Sequence, residues 1–172
     1  MSEQASASQD DVFRRYGAAM FRAQCLEQEV ENLIWAELKA SGAGSRSDRR
    51  EVEKETLGGL WRRVESGFSE IDPLWASTLK NFIRYRNYLA HHLFVDAAEA
   101  MADKAGSERV LAYLDEFELV CSTAGYHLHL LAEAADLNIA KRYSSRMEEV
   151  LAEKSGITPD TEIRFRRFKP NA

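Results

Sequence analysis

Residues 110–135, VLAYLDEFELVCSTAGYHLHLLAEAA, decide the fold class. Val110, Leu114, Phe117, Cys121, Ala124, Leu128, Leu131 and Ala135 succeed one another in steps of four and three. An α-helix turns once every 3.6 residues, so these steps lay all eight side chains along one stripe. A half-buried strand would need period two instead. The stripe is the seam of a bundle helix, which cannot be stable alone and must pack on others like it.

The rest of the chain supplies the partners of this helix. From about Asp10 to Ala40 the apolar positions Phe13, Tyr16, Met20, Ala23, Val30 and Ile34 recur at helical spacing, widened by Leu26 and Leu33. Asp10 or Asp11 is the expected cap. Ser41-Gly42-Ala43-Gly44-Ser45 breaks the pattern. A second helix is expected from about Ser47 to Ser66, with Gly58 and Gly59 inside it. Each glycine there costs about 1 kcal/mol relative to Ala, a cost usually offset by close approach of another helix. Asp72-Pro73 opens a third helix, which is expected to reach about Asp103 through Leu79, Phe82, Ile83, Leu89 and Phe94. Ala105-Gly106 ends it and Ser107 caps the next. Residues 139–154 read as an additional C-terminal helix and 155–172 as a basic extended tail, in which Ile163 and Phe165 alternate with Arg164 and Arg166. The resulting expectation is an all-α, antiparallel four- to five-helix bundle over residues 10–138.

Composition fits that architecture. With three prolines, nine glycines and 45% hydrophobic residues among 172, the chain has core material and few breakers. The net charge of −5 argues against nonspecific coating of long nucleic acid, so any such contact must use a local patch. One patch exists: no acidic residue lies between Asp72 and Asp96, a window holding Lys80, Arg84, Arg86, His91 and His92. Cys25 and Cys121 are too few for a disulfide framework and read as buried free thiols of a reducing compartment. The N-terminus lacks a secretion-signal pattern and no run of about 18 apolar residues occurs, so a soluble, cytoplasmic protein without a membrane partner is expected.

Within the patch, Asn87 and His91 are one helical turn apart and share a face, with Arg84 two turns before His91. Arg86 lies around the side, within reach for a long side chain. Imidazole can exchange a proton near neutral pH, guanidinium is always charged and fits a phosphate, and an amide can orient either. No carboxylate stands nearby in sequence to collect a metal. Such parts suit metal-free RNA cleavage, in which a 2′-OH attacks the adjacent phosphate and a fixed cation stabilises the developing charge. The alternative is that Arg86 and Asn87 are solvated and His91 is a satisfied core histidine.

Arg86-Asn87-Tyr88-Leu89-Ala90-His91 resembles the Arg-x4-6-His signature of the HEPN superfamily in its Arg-Asn-x-x-x-His form. That family consists of helical bundles, usually homodimers, many of them metal-independent endoribonucleases of toxin–antitoxin, CRISPR and antiphage systems. The resemblance implies that Arg86 and His91 are catalytic, that Asn87 supports them, and that the residues of two protomers meet across the dimer interface. It implies RNA as substrate, no cofactor, and a possible nucleotidyltransferase-type antitoxin as partner. Lys80, Arg84 and His92 would then steer RNA; His92 also offers a second Arg-x5-His reading. A non-catalytic dimerisation or partner-binding module of the same fold is the alternative.

Three further features of the sequence bear on function. Glu27 interrupts the apolar stripe of the first helix and could pair with Arg84 or Arg86 in support of the site, or face water. His127 and His129, two residues apart, do not share a face and make poor joint metal ligands; one is expected buried and the other exposed. The tail cations Arg164, Arg166, Arg167 and Lys169, interleaved with Phe165 and Phe168, suit RNA, a partner protein or a dimer mate equally.

Overall fold

The computed structural model describes residues 8–42, 44–68, 71–135, 156–158 and 160–170. It is helical: α1 Gln9–Ala40, α2 Arg46–Val52, α3 Leu57–Gly67, α4 Pro73–His91, α5 Leu93–Ala97, a 3₁₀ turn Ala100–Ala102, and α6 Lys104–Ala134. The expected helix over residues 139–154 lies outside the described residues.

Cross-helix pairs fix the topology. Gln9 donates to the Met101 carbonyl, Arg15 pairs with Asp115, and Leu26 lies against Gly125, so α1 and α6 run side by side in the same direction. Phe82 meets Phe117 and Tyr88 meets Tyr113, while Trp75 lies beside His127, so α4 runs antiparallel to α6. Among the described residues three helices exceed fifteen residues. They go up, down and up, and the short α2 and α3 close one end. The core lies between them, built from Leu26, Val30, Leu33, Leu60, Val64, Leu79, Phe82, Tyr85, Leu89, Leu114, Phe117 and Leu131.

The seam of α6 is as read: Val110, Leu114, Phe117, Cys121, Ala124, Leu128 and Leu131 are all buried. Several boundaries differ, each because a cap outcompetes continuation. Ser8 caps α1 and Asp11 is the N3 acid of a capping box; its carboxyl is held below the usual range by the Ser8 N–H and hydroxyl. The expected second helix is two, because the Thr56 hydroxyl accepts from Gly59 N–H and starts α3 afresh. Gly58 and Gly59 therefore sit in a first turn, and no other helix approaches them closely: nothing stands within 4 Å of a Cβ built on Gly58. α4 stops at His91, and His92 at φ −129° turns the chain so that Leu93 and Ala97 enter the core. Asp103, not Ser107, caps α6, accepting from Gly106 N–H at 2.7 Å. Gly106 thus opens a helix instead of ending one; Ser107 is buried in its first turn. Gly42, at φ 77°, takes the left-handed position that ends α1.

The tail is extended and unpaired with any strand among the described residues. Ile163 and Phe168 are buried in the bundle core, with Phe165 packed against it, and the cations between them point outward. Asn81 donates to the Ile163 carbonyl at 2.6 Å, Tyr85 to that of Arg164 at 3.2 Å and Tyr113 to that of Arg166 at 2.7 Å.

His127 and His129 are both buried, against the expectation of one exposed. No group of three metal-ligating side chains occurs among the described residues. Cys121 is buried, with its thiol pushed up to about 12 by desolvation, but Cys25 is exposed. Both line one small cavity between α1 and α6. No helix among the described residues is long and apolar enough to cross a membrane.

Candidate functional site

The motif occupies the last turns of α4. The buried face of this helix, Leu79, Phe82, Tyr85, Tyr88 and Leu89, is spent on the core, so the intervening positions are turned out. Asn87, His91 and His92 are exposed and Arg86 is half-buried. The alternative in which His91 is a core histidine does not describe this chain.

Arg86 does not float. Its Nε donates to Glu27 Oε1 across the α1–α4 contact, and its Nη1 lies 3.4 Å from Asn87 Oδ1. Both side chains of the ion pair are largely shielded, at 26% and 21% exposure, so water screens them less than a surface pair. Of the readings open to Glu27, the structure takes the one that anchors Arg86. The same guanidinium lies close enough to Tyr16 to oppose the upward push of burial on its phenol. Tyr16 in turn donates to the Leu89 carbonyl at 3.4 Å.

His91 is differently placed. Five residues of helix separate it from Arg86, about 7.5 Å along the axis and about 140° around it. Its ring lies beside that of His92, with centroids 6.3 Å apart. One copy of the chain therefore brings Glu27, Arg86 and Asn87 together, while the exposed imidazole of His91 has no hydrogen bond or ion pair among the described residues. His92 lies 6.1 Å from the Tyr88 ring, whose hydroxyl is tied to Asp96 at 2.7 Å.

Of the residues expected to steer RNA, Arg84 is exposed and has no ion pair among the described residues, while Lys80 is held by Glu65 at 2.6 Å. The acid-free window is a property of the sequence only: folding carries Glu65 and Glu27 into it from other helices.

Beside the motif lies an apolar surface. Phe13, Phe21 and Val95 are 51%, 66% and 77% exposed. Phe13 and Tyr16 pack on Phe94 at 5.4 and 4.6 Å, which joins α1 to α5, and Met20 is half-buried. The stripe Phe13–Tyr16–Met20, read as core, is thus rotated partly outward, with Val12 and Ala19 facing the core in its place, while Ala23, Val30 and Ile34 are buried as read.

No family model, curated protein or solved structure matches the chain.

Proposed function

We propose that the chain is a metal-independent endoribonuclease of HEPN type, active as a homodimer. The observation that carries this reading is the placement of Arg86 and His91: one anchored by Glu27, the other exposed, on one helix end beside an uncovered apolar patch. Because Arg86 and His91 of one copy diverge around the helix, a second copy docked on the side that exposes Phe13 is what would gather two of each around one phosphodiester.

His91 of one copy takes the proton of the 2′-OH, whose oxygen attacks the adjacent phosphorus. The bond to the 5′-oxygen breaks and the leaving alkoxide takes a proton from imidazolium. The products are a 2′,3′-cyclic phosphate and a 5′-hydroxyl, with no redox change and no water consumed in this step. Arg86 offsets the charge that builds on the phosphoryl oxygens; Asn87 orients Arg86, and Arg84 holds the flanking strand. A toxin or defence role, with a nucleotidyltransferase-type antitoxin, belongs to the same reading.

The test is RNA turnover with and without chelator. His91→Ala should lower cleavage about 10²- to 10⁴-fold while helicity is unchanged. Normal cleavage by that variant rejects the mechanism.

One observation favours a second reading. The Glu27 carboxylate already neutralises Arg86 and lessens what the guanidinium offers to phosphate. On this reading the motif is a polar rim of a non-catalytic dimerisation or partner-binding module. A stable wild-type dimer that turns over no RNA selects it.

A further inference from the structure

A second cationic feature is built from residues other than Arg86 and His91. Where the tail crosses the first half of α6, a groove of about 610 Å³ opens, within the range of small-ligand sites. Arg109, Arg166, Arg167 and Lys169 line it, and Glu116 is its one carboxylate. Ala112, Tyr113 and Phe168 form an apolar floor.

Glu116 cannot neutralise this rim. Its oxygens are taken by Arg166, at 3.1 and 2.7 Å, and by the Tyr85 hydroxyl at 2.7 Å. Arg109, Arg167 and Lys169 have no ion pair among the described residues. Arg167 lies 5.8 Å from the Tyr88 ring centroid. The Nε of Arg109 is buried and has no hydrogen-bond partner among the described residues.

The cations are also held in place. The carbonyls of Ile163, Arg164 and Arg166 are bound by Asn81, Tyr85 and Tyr113, and Ile163 and Phe168 are seated in the core. The tail backbone is therefore fixed before any ligand arrives, which lowers the ordering cost of binding.

We propose that this groove binds a nucleotide, its phosphates between Arg109, Arg167 and Lys169 and its base over the Ala112–Phe168 floor. Guanidinium forks match phosphate oxygens in pairs, and a flat heteroaromatic ring suits a shallow apolar floor rimmed by arginine. A free nucleotide and a nucleotide unit of RNA present the same chemistry. Binding here requires neither Arg86 nor His91, so its outcome and that of the ribonuclease assay are separable.

The experiment is calorimetric titration of the full chain at low salt with ATP and, separately, with a 5′-phosphorylated RNA tetranucleotide. Binding of ATP identifies a free-nucleotide site; binding of the tetranucleotide alone identifies an RNA strand as the source. In either case Lys169→Ala, an exposed change without folding cost, should weaken binding about tenfold, and Arg109→Gln at least as much. Arg50→Ala, on the remote α2, should leave it unchanged. Binding of neither probe at millimolar concentration overturns the proposal. So does a loss on Arg50→Ala equal to that on Lys169→Ala, because the attraction is then diffuse charge.

Discussion

Gly106→Ala should destabilise the protein although it replaces glycine with the best helix former. A Cβ built on Gly106 would stand 1.7 Å from the Ala100 carbonyl oxygen, 2.4 Å from its carbon and 2.8 Å from its Cα. These are backbone atoms of the 3₁₀ turn and cannot rotate away as a side chain would. Real Cβ contacts stay beyond 3.0 Å, so the turn and α6 must part by more than 1 Å. That movement displaces the buried Ala100 and, with it, the exposed Asp103, whose carboxylate caps α6 through Gly106 N–H. Overpacking costs about 1–3 kcal/mol and a lost cap about 1 kcal/mol. The helix preference of Ala returns about 1 kcal/mol. The net loss is about 2 kcal/mol, or roughly 4–8 °C in Tm for a chain of this size. Gly58→Ala is the matched control, since a Cβ there meets nothing within 4 Å in the first turn of α3. It should raise stability by about 0.5–1 kcal/mol. Thermal and urea unfolding followed by helical circular dichroism measures both. A Gly106→Ala protein as stable as the parent would show that the turn yields freely and would refute the close-approach account.

Two further outcomes are expected. The Tyr85 phenol is pushed up to about 12 by burial and by its hydrogen bond to the Glu116 carboxylate, against 10.0 for a free phenol. The folded chain keeps this proton while the unfolded chain loses it, so stability should hold below pH 10 and fall between pH 10 and 12; urea midpoints against pH should show that fall flattened in Tyr85→Phe. On the proposed dimer face, Phe13→Asp combined with Phe21→Asp should weaken self-association at least about tenfold with helicity retained, as read by sedimentation. A doubly substituted chain that still sediments as a parent-like dimer places the interface elsewhere.

The all-helical class was legible because one stripe dominates α6. Seven of its eight seam positions are buried, and Ala135, half-exposed, is the C-cap. Helix ends were harder to read, because caps compete locally: Thr56 and Asp103 each started a helix where apolar periodicity alone suggested continuation or a stop. The motif was legible as a spacing, and its exposure is a property of which face α4 buries. The Glu27–Arg86 pair was one of several partners open to a carboxylate on an apolar stripe; helix crossing selected it. Lys80 reads as free in sequence only because Glu65 lies in another helix. Arg109 carried no signal of its own, since one arginine in an amphipathic helix is ordinary. The basic tail was the available clue, although its phenylalanines pack into or against the core.

The tail also bears on how the protein is made. Tyr85 and Tyr113 find carbonyl acceptors at Arg164 and Arg166, and the space between α4 and α6 is filled by Ile163 and Phe168. During synthesis these residues leave the ribosome well after the helices they complete. For that interval the nascent chain exposes an aromatic cleft with unfilled apolar surface, which is the kind of target that holding chaperones recognise.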